Sequence, residues 1–212
     1  MTTDIDAPED AHAITTKADL ERVLGVPSES VLNKHTGSMT PLMAEYIKHA
    51  RFFVLATADA DGNCDCSPRG DVDSAVFVKD AGTLVLPDRP GNRRVDSYRN
   101  ILSNPHVGVM FLVPGIDEVL RVNGRATLRT DPELLDAMAI KGKPATLAVV
   151  VEVDEVYVHC ARAILRSDLW NPERFADPDV VPAVRDIVAE QHSLTVPSDE
   201  PRRQEEYRSH LY

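Results

Sequence analysis

Three arginines, Arg89, Arg93 and Arg94, fall within six positions of one another in the stretch LVLPDRPGNRRVDS, residues 84–97. The apolar residues 84–86 just before them read as the end of a buried strand, and Pro87, Pro90 and Gly91 break the backbone into a turn. Guanidinium forks match phosphate oxygens two at a time, and each charge-assisted hydrogen bond is worth roughly 1.5 to 3 kcal/mol, so such a loop can cradle a phosphate. Set against Asp88 and Asp96, the three arginines leave a local excess of +1 in a chain whose formal net charge is −11. A cationic patch kept on an acidic protein suits an anionic partner. It equally suits a solvated turn whose arginines pair with nearby carboxylates.

The elements that must position this loop are legible from periodicity and punctuation. Residues 1–13 read as a disordered acidic tail. Thr16 to Leu24 reads as a short helix with Leu20, Val23 and Leu24 on one side and Gly25 as its stop. Thr40 followed by Pro41 opens a second helix, in which Leu42, Met43, Tyr46, Ile47 and Ala50 recur at helical spacing. From Arg51 the texture is that of strands, FFVLATA, NCDCS, AVFVK and TLVLP, with turns at 59–62 and 80–82, a run of antiparallel hairpins. After the arginine loop, Val95, Tyr98, Ile101 and Leu102 suit a helix that stops before Asn104-Pro105. Two strands follow, HVGVMFLV and VLRVNGRATLR, then a short helix from Asp131-Pro132 and a last long strand over 146–160. Five to seven strands in hairpin order predict a mainly β fold, a closed or nearly closed antiparallel barrel with helical decoration. The expected domain covers 14–165 with its N-terminal helices, and 166–212 forms a helical C-terminal extension.

Several function classes are disfavoured. Cys64, Cys66 and Cys160 are odd in number and lack zinc-finger spacing, which suits reduced thiols in a cytosol and no metal. The longest apolar runs, such as 107–113, fall far short of the roughly 20 residues of a membrane span, and no lysine or arginine precedes Lys17, unlike a leader. The expected location is cytoplasmic, with no membrane partner. An acidic balance with 5% aromatic residues argues against a nucleic-acid partner. No glycine pair has dinucleotide or Walker spacing. His35, His49, His106 and His159 are scattered, Arg166 is expected to pair with Asp168, and the run Glu152, Asp154 and Glu155 to lie on a solvated edge. No side chain stands out as a catalytic acid or base.

Taken together, SPRGD at 67–71, LVLPDRPGNRRVDSYRNILSNPHVGVMFLVPG at 84–115 and LRVNGRATL at 120–128 resemble the pyridoxamine 5'-phosphate oxidase-like family of flavin-binding split barrels. The resemblance covers roughly residues 40 to 165 and comes closest to the branch of FMN-dependent enzymes with unassigned substrate. It implies an antiparallel split β-barrel and a homodimer with FMN in clefts between subunits. It also implies a set of contacts: Arg69 on the phosphate or ribityl chain, Arg93 and Arg94 on the phosphate with Arg89 from the same loop, and Asn92 and Ser97 adding neutral hydrogen bonds. Ser67 and backbone near Leu86 and Pro87 lie beside the ring, Arg121 lines the cleft, and Trp170 closes the ring from the partner subunit.

The activity so implied is that of an FMN-dependent oxidoreductase acting on a small-molecule substrate. Two other readings stay open: a flavin-binding protein without turnover, acting as sensor or store, and a true pyridoxamine or pyridoxine phosphate oxidase. The barrel could also exchange its ligand for heme or a deazaflavin, although a basic loop disfavours heme. True oxidases of the family resemble one another in an arginine-rich C-terminal segment that holds the substrate phosphate. Residues 161–184, ARAILRSDLWNPERFADPDVVPAV, carry Trp170 and Arg174 without that arrangement.

Overall fold

The computed structural model describes residues 12–72 and 74–194, together with Arg208 and Leu211. Of the expected acidic tail, residues 1–11 lie outside the described residues, as does most of the charged C-terminus. The chain divides into two compact units, residues 1–34 and 35–212. The first carries α1 (Lys17–Leu24) and α2 (Glu29–Leu32), and neither helix buries a residue. The ends of α1 are those its sequence dictates: the Thr16 hydroxyl accepts from the Asp19 N–H, and Gly25, at φ 79°, closes the last turn by donating to the Glu21 carbonyl. The N-terminal helix expected inside the barrel domain thus belongs, with α2, to a unit of its own.

The second unit is built on seven strands, β1 (Phe52–Ala58), β2 (Cys64–Gly70), β3 (Phe77–Asp80), β4 (Thr83–Pro87), β5 (His106–Leu112), β6 (Val119–Arg129) and β7 (Ala148–His159). Around them lie α3 (Pro41–Lys48), α4 (Asp96–Ser103), α5 (Pro132–Ala137), α6 (Arg162–Ser167) and α7 (Val184–His192), with a 3-10 turn at Pro172–Arg174. The strands form one sheet in the order β2-β1-β5-β6-β7-β4-β3, every pairing antiparallel. The expected hairpins are present, but two pairings between distant segments, β1 with β5 and β4 with β7, join them.

This order forces the sheet to curl. Strands β2 and β3 are consecutive in the chain yet sit at opposite edges, linked only by residues 71–76. Seven flat strands would set those edges about 29 Å apart at the usual spacing, whereas a link of this length reaches at most about 25 Å when fully extended. The edges must therefore approach each other, and the result is the antiparallel split barrel, open along the seam between β2 and the β3–β4 hairpin.

Strand alternation fills the interior. Phe53, Leu55 and Thr57 of β1 and Val107, Val109 and Phe111 of β5 point inward, with the Phe53 and Phe111 rings 5.8 Å apart. The register of β6 against β7 slips at Asn123/Gly124, where a Cβ on Gly124 would stand 2.1 Å from the Glu152 carbonyl oxygen. Glu152, Asp154 and Glu155 lie on β7, between β6 and β4, and not on an edge as their charge suggests. Their carboxylates are accommodated because one face of this inner strand is solvated, and Arg125 lies 3.7 Å from both Glu152 and Asp154. Among the described residues no helix is long and apolar enough to cross a membrane.

Candidate functional site

A cleft of about 930 Å³ opens along the seam. Its walls are β2, the end of β4 at Pro87, the loop 88–95 and the first turn of α4, with Phe53, Ala75 and Thr146 completing the lining. Because side chains alternate along a strand, β2 turns Asp65, Ser67 and Arg69 toward this space together. The loop is shaped locally: the Asn92 side chain accepts from the Arg94 N–H at 3.0 Å, an Asx turn that leaves Arg93 in the left-handed region at φ 58°. Val95 follows at φ 55°, a conformation that costs a β-branched residue of order 1–3 kcal/mol and recurs at ligand sites.

The four arginines of the cleft differ sharply. Arg89 is a strut: its Nε donates to Asp71 at 2.7 Å and its guanidinium also donates to the Met138 carbonyl at 2.9 Å, tying β2's end to the cluster of Val85, Met138, Ala145 and Ala148. Asp71 is only 1% exposed. Arg94 is solvent-exposed and paired with Asp96. Among the described residues Arg93 makes no hydrogen bond or ion pair. Arg69 donates to the Tyr98 hydroxyl at 2.9 Å and to the Ser97 hydroxyl at 3.4 Å, lies over the Tyr98 ring at 5.1 Å, and keeps a buried Nε with no acceptor. Four aspartates, Asp65, Asp71, Asp88 and Asp96, line the same space, so the cleft as a whole is charge-balanced although its loop is not.

Two of those aspartates face hydroxyls. Ser97 donates to Asp65 at 2.5 Å, and Tyr98 donates to Asp88, which itself stands 3.8 Å from Arg69. Burial first, and then the neighbouring Asp88, push the Tyr98 hydroxyl up to about 12, while Arg69 opposes the shift. Tyr98 therefore keeps its proton.

The family profile of pyridoxamine 5'-phosphate oxidase matches residues 39–160, more than half of the chain. The chain belongs to the pyridoxamine 5'-phosphate oxidase family. The matched span contains all seven strands and every residue lining the cleft. Solved structures similar to it include HupZ from Group A Streptococcus, 21% identical with a TM-score of 0.46 over 57% of this chain and 93% of that one. An FMN-binding protein from Syntrophomonas wolfei is 16% identical, with a TM-score of 0.41 over 56% and 90%. HutZ, the heme storage protein of Vibrio cholerae, is 14% identical, with a TM-score of 0.40 over 57% and 93%. No curated protein matches the sequence.

In this member of the family the cleft gathers Ser67, Arg69, Pro87, Arg89, Asn92, Arg93, Arg94 and Ser97. Three others do not line it within the single chain, Trp170 among them, whose expected place is in the cleft of a partner subunit. Leu86 is buried in the core of the barrel. Arg121 projects from the outer face of β6, stacked over Tyr157 at 5.2 Å, and Trp170 donates to the Ile116 carbonyl at 3.0 Å. Arg166 does not pair with Asp168: its Nε donates to the Arg162 carbonyl one helical turn earlier, while Asp168 sits at φ 51° and accepts from Asn171. Asp65, Asp88 and Tyr98 are site residues that sequence reasoning misses. The period-two recurrence of Asp65, Ser67 and Arg69 is the available signal for the first of them.

Proposed function

We propose that the seam cleft binds FMN and that the protein is an FMN-dependent oxidoreductase acting on a small molecule. The observation that carries this reading is that Arg93, without a partner among the described residues, and Arg69, whose terminal nitrogens are hydrogen-bonded only to two neutral hydroxyls, line one cleft of a chain belonging to this family. The residues fit the group. The volume lies within the roughly 300–1,000 Å³ of small-molecule sites. Arg69 and Arg93 would hold the phosphate dianion, and Phe53, Ala75 and Pro87 offer the apolar wall a flavin ring needs. FMN, when bound, supplies hydride chemistry at its ring, and the chain supplies orientation and electrostatics, which agrees with the lack of an obvious catalytic acid or base. With Arg89 and Arg94 already paired, the described cleft holds no further unpaired cation for a second phosphate, so a vitamer phosphate is disfavoured as substrate.

The partner proposed for the outer face of the sheet is a second copy of the chain. Pro68, Val54, Met110, Arg121 and Tyr157 form one row across five neighbouring strands, and Phe52 and Leu112 flank it. Phe52 and Met110 are 40% and 38% exposed there. The FMN reading is tested by titrating the purified protein with FMN and riboflavin. FMN is expected to bind at least a hundredfold more tightly, and Arg93→Ala to reduce FMN affinity about tenfold or more without touching riboflavin. Equal affinities for the two flavins would sink the proposal.

A further inference from the structure

Four aspartates in a cleft read as an anion site call for an explanation. Asp71 and Asp96 are taken up by Arg89 and Arg94. The other two stand behind hydroxyls that both face one arginine: Asp65 accepts from Ser97, Asp88 accepts from Tyr98, and both hydroxyls accept from Arg69. A hydroxyl has a single proton, and once that proton is given to a carboxylate the oxygen can present only lone pairs to its other neighbour. The acids thus fix which way each hydroxyl turns, and the hydroxyls fix the guanidinium.

We propose that Ser97 and Tyr98, oriented by Asp65 and Asp88, are positioning residues that hold Arg69 for recognition of the ligand's phosphate. This inference rests on the reading of the cleft as an FMN site. A guanidinium has five N–H donors. Two of those on Arg69, one on each terminal nitrogen, are spent on the two hydroxyls, and the second N–H of each stays for an incoming anion on a side chain that is 22% exposed. The Tyr98 ring under the guanidinium removes a further freedom, rotation about the long side chain. Tyr98 is suited to the task because its hydroxyl stays protonated and so always donates to Asp88. The arrangement trades net charge for fixed geometry: Asp88 offsets part of the Arg69 charge, and in exchange the fork loses little freedom when a phosphate arrives.

The experiment compares FMN and riboflavin affinities, by quenching of flavin fluorescence, for the full chain and for Tyr98→Phe, Asp88→Asn and Arg69→Met, with thermal unfolding to verify that each variant is folded. Tyr98→Phe keeps the ring and removes only the hydroxyl. It is expected to weaken FMN about tenfold while riboflavin is unchanged, and Asp88→Asn to move the ratio in the same direction by freeing the hydroxyl to rotate. Arg69→Met is expected to lose more of the FMN preference than either. If Arg69→Met loses the preference while Tyr98→Phe and Asp88→Asn keep it, Arg69 needs no positioning, and this inference falls while the FMN reading stands. If the wild-type chain does not distinguish FMN from riboflavin, the FMN reading falls and takes the inference with it.

Discussion

Arginines close together in sequence do different work here, and the difference is one of burial. Arg89 and Arg93 are four positions apart, yet the first closes an ion pair with a carboxylate that is 1% exposed and the second stands without a partner among the described residues. Truncating one member of a buried pair leaves its charge uncompensated, at a cost on the order of 3 to 5 kcal/mol. Arg89→Ala is therefore expected to lower unfolding stability by about that amount, measured by urea denaturation, whereas Arg93→Ala leaves the midpoint where it was. Equal midpoints for the two variants would contradict the assignment of Arg89 as a strut. Composition and spacing place both arginines in one loop. They do not say that Asp71, at the far end of β2, waits for the first, because that contact depends on where the two edges of the sheet meet.

At the scale of elements, what can be read from sequence is what short-range physics controls. Thr16 and Thr40 cap helices, Gly25 ends one, and hairpin turns fall where Asp59 to Gly62 and Asp80 to Gly82 put them. The pairings of β1 with β5 and of β4 with β7 are not legible, since apolar alternation says which face is buried and not which strand is the neighbour. For the same reason the charges of β7 suggest an edge that the sheet order does not give it, and nothing local marks Asp65 and Ser97 as neighbours across the cleft. The Asn123-Gly124 irregularity gives a test of the register. An alanine at position 124 would bring its Cβ to 2.1 Å from the Glu152 carbonyl oxygen, a clash with backbone that no side-chain shift can absorb, so the strands must part. For Gly124→Ala a loss of roughly 3 kcal/mol or more is expected, at the upper end of overpacking effects, together with a fall in sheet content by circular dichroism. A variant as stable as the parent would mean that β6 and β7 pair in another register.

At the scale of the whole molecule the outer face of the sheet is the surface proposed for self-association. A row running from Pro68 through Val54 and Met110 to Arg121 and Tyr157 has apolar area at one end and, at the other, a guanidinium that meets a ring and, among the described residues, no carboxylate. Light scattering is expected to give twice 23.4 kDa, and Met110→Lys, which sets a charge in the middle of that row, to give monomers. A monomeric parent chain would contradict the proposed self-association. The sheet order carries one more consequence, in the time domain. The cleft needs both edges of the sheet, β2 and the β3–β4 hairpin, and these are held in place by the two pairings between distant segments. Such pairings form slowly, because loop closure has to precede the contacts that reward it. Even once they have formed, β2 and β3 remain the outer strands of the sheet, and Pro68 in the middle of β2 withholds a backbone donor from one of these two edges. The strand that lines the pocket thus also presents, during folding and after it, an edge poorly suited to pairing with other chains.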